Sequence, residues 1–347
     1  MHKTNDVFIV ITSINPPTDA VEKFSKLSDC ELIVVADEKS PIEWNVPEAF
    51  LFSVAKQATC EFQLAQSLPY NHYSRKMLGY LLAISKGANY IIDTDDDNIP
   101  DENWHFPVSQ SSNLLTGEDL GFINVYKFYT SQKIWPRGLP IHLINDNRDV
   151  STSLCGETNV GIWQGLVHMD PDVDALYRLI VNLPCQFNTG PNIVLGKGTI
   201  SPFNSQNTLF KKELFPLLYL PCTVTFRFTD ILRGLVAQPI MWLYGYQLGF
   251  MEARITQLRN PHNLVEDFES EIPMYLNAEK AIAYVENVIS KEKTIEENLL
   301  SAYCELAFRG IVCNSELKML NDWLQDLSLL KQKNLICSNF RDSAMEL

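Results

Sequence analysis

The sequence predicts an α/β fold: a parallel sheet covered by helices, with a helical appendage at the C-terminal end. Three observations predict it. Short β-branched runs alternate with amphipathic helical stretches through residues 7–92. Acidic and amide residues stand directly after those runs, where open α/β sheets bind their ligands. Beyond Pro273 glycine and proline become scarce and helical periodicity takes over.

Residues 7–14 (VFIVITSI) have the length and β-branched content of a buried strand, stopped by Asn15-Pro16-Pro17. Residues 18–28 follow as a helix with Thr18 or Asp19 as N-cap. Residues 31–36 (ELIVVA) make a second buried strand that ends at Asp37. Residues 73–87 form an amphipathic helix closed by Gly87, and 89–92 (NYII) a third strand running into Asp93. The middle is less regular. Residues 120–128 read as a strand, 145–160 as a polar loop and 172–181 as a helix. Segment 186–207, rich in Gly, Asn, Ser and Pro, is expected to line or cover a site. Residues 229–238 and 240–250 are apolar with helical spacing, and the segment after 276 reads as successive helices.

Hydrophobic residues make up 46% of the 347, enough for a full core, which excludes disorder as the main state. Lys and Arg number 28 against 42 Asp and Glu, a net charge of −14, which disfavours nucleic acid as a partner. No apolar run approaches the length of a membrane span, and the N-terminus lacks a signal-peptide pattern. A soluble, cytoplasmic protein is expected. The eight cysteines form no C-x-x-C pair, which suits buried thiols in a reducing compartment and argues against a zinc ribbon.

Asp93, Asp95, Asp96 and Asp97 place four carboxylates within five residues. Like charges this close raise one another's pKa unless something compensates them. Mn²⁺ or Mg²⁺, which prefer oxygen ligands, would compensate them well. In an extended segment Asp95 and Asp97 point to the same side and share one ion. A solvated acidic turn is the plainer reading. Just upstream, Arg75 and Lys76 supply a bidentate donor and a point charge suited to a diphosphate, or else two surface cations in weak ion pairs.

With TSINPPT (12–18), VVADEKSP (34–41), LPYNHYSRKMLGYLLAISKGA (68–88) and IIDTDDDN (91–98), the chain resembles the STELLO glycosyltransferase-like proteins. It is similar, more distantly, to the reversibly glycosylated polypeptides, which include the UDP-arabinopyranose mutases. WPRGLP (135–140), GIWQGLVHMDPDVDALYRL (161–179), SPFNSQNTLF (201–210) and FRFTDILRG (226–234) carry the resemblance to about residue 275. The resemblance implies a GT-A-like nucleotide-sugar-binding catalytic domain with a mixed, mostly parallel sheet over residues 1–275. It leaves 276–347 as an appendage without a recognised family. It implies a nucleoside-diphosphate sugar, UDP-linked, as donor, and Mn²⁺ or Mg²⁺ on Asp95 and Asp97. By the same carry-over Asp96 contacts ribose or sugar, Asn15 and Asp37 lie near the nucleoside, and Arg75 near the diphosphate or sugar. Arg137 matches the self-glycosylated arginine of the reversibly glycosylated polypeptides, and Asp230 an acidic residue facing the reaction site. Thr229-Asp230 replaces the mutases' paired aspartates, and Asn204-Ser205-Gln206-Asn207 their Gly-x-Asn motif; both departures favour the STELLO side.

Other positions carry two readings each. Asp172 and Asp174 either cap a helix or meet sugar hydroxyls. Trp163 and Gln164 either line an acceptor site or sit in the core. Asn204, Gln206 and Asn207 either recognise sugar hydroxyls or brace a loop. His168 and His262 have no second ligand at metal spacing and read as structural, His262 alternatively as a diphosphate contact. No Ser-His-Asp arrangement supports acyl transfer.

The function expected is metal-dependent transfer of a sugar to a glycan, lipid-linked or protein acceptor, within glycan or polysaccharide synthesis. Asp230 would act as general base or position the acceptor. Two alternatives stand beside it: a mutase or self-glycosylating protein acting through Arg137, and a non-catalytic scaffold that binds nucleotide sugars. The C-terminal helices are the expected surface for docking or oligomerisation. Because the donor and the protein are both anionic, binding must rest on a local inversion of charge.

Overall fold

The computed structural model describes residues 6–107, 113–155, 158–258 and 263–345, with 334–345 as backbone alone. Val7–Ser13 (β1), Glu31–Ala36 (β2), Ala49–Phe52 (β3) and Tyr90–Thr94 (β4) lie parallel in the order β3-β2-β1-β4. Their carboxyl ends therefore share one edge, where Ser13, Asp37 and Asp95 emerge together. The sheet continues through short strands of mixed direction. They are Asn98–Pro100 (β5), Asn113–Thr116 (β6), Thr152–Cys155 (β8), Val160–Met169 (β9), Ile193–Val194 (β10), Asn207–Lys211 (β12) and Gln247–Gln257 (β13). Gly121–Phe122 (β7) and Thr199–Ile200 (β11) pair apart from it. Beyond β4 the order is β12-β9-β13-β10-β6-β8, with β5 on β13. Because β12 runs antiparallel to β4, with Thr208 opposite Asp93, the loop before β12 arrives beside the carboxyl end of β4.

Helices cover both faces. Asp19–Ser25 (α1) packs on one, with Ile9, Ile11, Val34, Phe24 and Trp104 in a shared apolar cluster. On the other face stand Val54–Ala58 (α2), Leu64–Ser67 (α3), Lys76–Ser85 (α4), Ala175–Ile180 (α5) and Thr229–Leu243 (α6). There Val10, Ile33 and Val35 meet Met77, Tyr80 and Leu232. Alternate residues of each strand serve opposite faces, which is why these runs read as continuously apolar.

Four segments differ from the sequence reading. Asn124 accepts the Tyr126 backbone N–H and turns the chain into a 3-10 turn at 125–128, so only Gly121–Phe122 of the expected 120–128 strand is extended. α6 stops at Leu243, Gly245 takes a positive φ of 74°, and β13 follows, so most of 240–250 is turn and strand. Both halves of that stretch are buried, and periodicity does not separate a buried strand from a buried helix. The 145–160 loop also contains β8, and the 172–181 helix is confined to α5.

Leu264–Glu286 (α7), Ile295–Phe308 (α8) and Glu316–Met345 (α9) complete the chain. α7 runs unbroken through the 275/276 boundary. Ala278, Ile282, Leu299, Tyr303, Leu320 and Trp323 join the same apolar cluster as α4 and α6. Buried carboxylates tie these helices to earlier loops. Glu316 accepts from Cys222 N, Thr223 N and Thr223 Oγ1, and Asp326 accepts from Gln63 N and Leu64 N at the start of α3. Among the described residues no helix is long and apolar enough to cross a membrane.

Helix α4 can approach the sheet closely because position 79 is glycine. A Cβ there would meet Val10 Cγ1 at 2.5 Å and Val35 Cγ2 at 2.7 Å. Alanine gains about 1 kcal/mol of helix propensity, whereas forcing a methyl against two stiff β-branched side chains costs about 1–3 kcal/mol. The clash wins, so Gly79→Ala should lower stability by about 1 kcal/mol by urea unfolding. A midpoint equal to or above the wild type's would mean that α4 can slide outward freely.

Candidate functional site

The site begins with a buried carboxylate. Asp93 points to the face of β4 covered by α4 and α6, where it has no exposed area and pairs with Lys76 of α4 and Arg233 of α6, each at 2.7 Å. Burial opposes its ionisation, and the two cations overcome it, holding its carboxyl below the ordinary range. Lys76 Nζ also reaches Asp95 Oδ1 at 2.9 Å, and Tyr73 donates its hydroxyl to the same oxygen at 2.7 Å. The strand end is thereby tied to the helix before it.

Asp95, Asp96 and Asp97 then line a cavity of about 480 Å³ at the carboxyl ends of β1, β2 and β4. Burial pushes the Asp95 carboxyl up to about 6, against the pull of Lys76 and reinforced by Asp97 and Asp93. Asp96 Oδ2 accepts from Asn15 Nδ2 at 3.0 Å and from the Ser13 hydroxyl. Asp97 Oδ2 accepts from Gln257 Nε2 at 2.8 Å. Asn15, Asp37, Lys39, Asn71 and His72 also line the cavity near the ends of β1 and β2.

Arg137 forms another wall with Asp172 and Asp230. Its Nε and Nη2 meet the two oxygens of Asp172 at 2.7 and 2.8 Å, and Nη2 meets Asp230 Oδ2 at 3.0 Å. The segment is locked in place: Trp135 donates to Asp174 at 2.8 Å, and Arg137 N bonds Asp172 O at 3.0 Å. Gly138 has a φ of 92°, and a Cβ there would strike Ile231 Cγ2 at 2.6 Å. Asn204 Nδ2 holds Asp172 at 2.9 Å, and Ser205 N donates to Asp230 at 3.2 Å. Burial works against the charge on Arg137, but Asp172 and Asp230 more than offset it and keep the guanidinium firmly protonated. Asp172 is in turn held below its ordinary range by Arg137, against the effect of burial. Two further guanidiniums line the cavity: Arg178, paired with Asp170 at 2.9 Å, and Arg227, paired with Glu271 of α7 at 2.8 Å.

The structure thus brings Asn15, Asp37, Asp95, Asp96, Asp97, Arg137 and Asp230 around one cavity. Five expected residues stand elsewhere. Arg75 is buried and faces away: it donates to Gln57 Oε1 and Leu68 O and lies on the Tyr70 ring, so the cavity's cations are others. Trp163 belongs to the core face of β9, packed on Gly249. Asp174 is the N-cap of α5, accepting from Tyr177 N at 2.8 Å, with its carboxyl pushed up to about 6 by burial. Asn207 lies within β12, accepting from Trp104 Nε1 at 3.3 Å. Asn204 braces Asp172 from behind, while Gln206 lines the cavity. Gln164 is buried between Asn204 and Asn207. His168 lies beside Phe187, and His262 lies outside the described residues.

Lys39, Tyr73, Arg178, Phe226, Arg227 and Gln257 line the cavity without having been singled out. Arg227 had a sequence signal, an arginine three residues before Asp230 at a helix start. Its partner Glu271 comes from a distant helix and had none.

The donor set tests the implied metal. Asp95 and Asp97 are hard oxygen donors facing the cavity, close enough that Asp97 raises the Asp95 carboxyl. Among the described residues no group of three or more His, Cys, Asp or Glu side chains could close around an ion. Two carboxylates are a partial donor set for Mg²⁺ or Mn²⁺, whose remaining positions water and ligand phosphates would have to fill.

Two family models match this chain. The family model described as reversibly glycosylated polypeptide matches residues 2–251, more than two thirds of the chain. The model described as STELLO glycosyltransferases matches residues 227–345. That match includes the C-terminal helices and corrects the expectation that they lie outside any recognised family. Two curated Arabidopsis thaliana proteins are similar. "Probable glycosyltransferase STELLO2" is 27% identical over 93% of this chain and 45% of its own length. "Probable glycosyltransferase STELLO1" is 26% identical over 92% of this chain and 44% of its own length. The chain thus spans less than half the length of these relatives. A solved structure titled "Crystal Structure of a Mycobacterial Protein" aligns at a TM-score of 0.38 and 12% identity, over 79% of this chain and 74% of that one.

The arginine clamp has a pH signature. Asp172 is held below its unfolded value, so its contribution to stability is present above about pH 4 and is lost as pH falls through the folded value. Arg137→Met would leave Asp172 and Asp230 without their cation, at a cost of about 3 kcal/mol near neutral pH. Burial would then raise Asp172 above its unfolded value, so the variant's deficit should shrink on acidification. Urea unfolding of both proteins at about pH 7 and about pH 4.5 measures this, and an equal deficit at both would rule out the electrostatic clamp.

Proposed function

We infer that this chain, which belongs to the reversibly glycosylated polypeptide family, is a glycosyltransferase that transfers a sugar from a nucleoside-diphosphate donor. The observation that carries the reading is the charge inventory of the cavity. Six acidic side chains (Asp37, Asp95, Asp96, Asp97, Asp172, Asp230) and four basic ones (Lys39, Arg137, Arg178, Arg227) line it. The lining is short by two positive charges even before an anionic ligand enters. A divalent ion on Asp95 and Asp97 would supply the missing charge, and bound there it would screen the diphosphate as leaving group.

The chain's own residues divide the remaining work. Asn15, Asp37 and Asp96 offer polar contacts for the nucleoside at the ends of β1 and β2, as topology favours in such sheets. Arg137, kept protonated by its two carboxylates, faces the departing diphosphate as a fixed cation. Asp230, held in register by Arg137 and Ser205 N, positions the attacking hydroxyl or takes its proton. The donor is proposed to be UDP-linked and the acceptor a glycan, lipid-linked or protein hydroxyl. We place the reaction in the cytoplasm; thiols with no disulfide at Cys30, Cys60, Cys185, Cys222, Cys304 and Cys313 support a reducing setting.

Calorimetry with UDP-, GDP- and CDP-sugars, with and without Mn²⁺, tests this reading. Metal-dependent binding of one of them is expected, and Asp95→Asn or Asp97→Asn should weaken it by about tenfold or more, that is about 1.4 kcal/mol. Absence of binding across the whole panel would sink it.

A second reading, self-glycosylation at Arg137, draws on that residue's place in the cavity wall. Its clamp speaks against it, because a guanidinium held protonated by two carboxylates is a poor nucleophile. Intact mass after incubation with UDP-sugars and Mn²⁺ should therefore stay unchanged. A gain of one glycosyl unit that disappears in Arg137→Lys would reverse the choice between the two.

A further inference from the structure

Phe226 is an aromatic side chain in the wrong place for a core. It stands 60% exposed in the 3-10 turn that opens α6, and its ring lines the cavity beside Arg227 and Asp230. The ring is nevertheless held in place. Its centroid lies 5.6 Å from that of Tyr73 in an edge-to-face contact at 83°, and Tyr73 is itself fixed by its bond to Asp95. The turn is anchored on both flanks to α7: Thr225 Oγ1 donates to Ser270 O at 2.6 Å, and Arg227 pairs with Glu271. A large apolar surface kept rigid and wet, next to hydrogen-bonding carboxylates and a guanidinium, is built to be covered by a ligand that is apolar on one face and hydroxylated at its edge.

We propose that Phe226 is the platform of the acceptor subsite, and that the acceptor group seated on it is a sugar ring, its axial C–H face on the phenyl ring and its hydroxyls toward Asp230. This rests on the glycosyltransferase reading and narrows its acceptor to a glycan. The donor's base is the competing occupant. Position argues against it: the nucleoside is assigned to the carboxyl ends of β1 and β2, whereas Phe226 stands in the turn that leads directly into α6 and Asp230. A rigid ring at that wall also places its ligand beside Asp230, the carboxylate assigned to the attacking hydroxyl.

The probes are methyl β-D-glucopyranoside, methyl β-D-galactopyranoside and methyl α-D-mannopyranoside, read by saturation-transfer NMR on the full chain with UDP and diamagnetic Mg²⁺. UDP affinity is measured in parallel by calorimetry. At least one glycoside should receive saturation, strongest on its axial ring protons. Phe226→Ala should weaken that signal by about tenfold, as loss of an aromatic contact does, and Phe226→Trp should restore it. UDP affinity should change by less than about twofold in both variants. The proposal is overturned if no glycoside receives saturation, if the signal survives in Phe226→Ala, or if Phe226→Ala weakens UDP by about tenfold, which would give the ring to the base. If the wild type binds no UDP with either Mg²⁺ or Mn²⁺, the donor reading itself fails, a result distinct from each of these.

Discussion

Asp93 is the constraint on which the rest of the site depends. A carboxylate with no exposed area at the end of a central strand is costly unless its charge is met. Lys76 and Arg233 meet it from two different helices, each at 2.7 Å. Removing either would leave a buried charge with half its compensation, so the strand end, α4 and α6 can shift only together. That triad explains why the following aspartates form a wall and not a loose acidic turn. Lys76 continues from Asp93 to Asp95, and Arg233 continues from Asp93 to the carbonyl of Asn204, whose amide braces Asp172. One buried charge thus sets the separation between the aspartate loop and the Arg137 clamp.

The C-terminal helices enter the same network from behind. Glu271 of α7 pairs with Arg227 and accepts the backbone N–H of Ala175, so the turn before α6 and the start of α5 hang from one carboxylate. Glu316 of α9 gathers the amides of Cys222 and Thr223, a few residues upstream of Phe226. These are long-range carboxylate contacts to backbone donors, strong and directional, and they fix loops that have little apolar area to bury. The helices therefore shape the site as well as adding core.

Much of the frame was legible from local pattern. β-branched runs followed at once by a polar residue mark the carboxyl ends of β1, β2 and β4, and that is where Asn15, Asp37 and Asp95 stand. Direction within an element was not legible. Arg75 and Lys76 are adjacent on the chain, but neighbours along a helical turn point about 100° apart, and only Lys76 reaches the aspartates. Asp172 and Asp174 differ by two residues around a helix start; one clamps Arg137 and the other caps α5. Trp163 and Asn207 look like site residues in composition, yet both sit inside strands whose faces are buried. The pairs that decide such cases, Arg227 with Glu271 and Asp93 with Arg233, join distant parts of the chain and leave no local trace.

The protein's acidity takes on a definite meaning at the cavity. A net charge of −14 repels any nucleotide at long range, and the sequence reading meets it with a local inversion of charge, a divalent ion on Asp95 and Asp97 aided by Arg75 and Lys76. The guanidiniums of Arg137, Arg178 and Arg227 are each already paired with a carboxylate. Paired cations attract weakly from a distance but are held in fixed geometry, and a phosphate arriving near them meets donors that need no reorganisation. Among the described residues Lys39, exposed at the rim among the ends of β1 and β2, is the exception. Attraction and orientation are thereby separated: an ion on Asp95 and Asp97 would supply the first and the clamped arginines the second. Removing the ion should then abolish affinity, whereas removing a clamp should misplace the ligand, and that difference follows from how the charges are paired and not from how many there are.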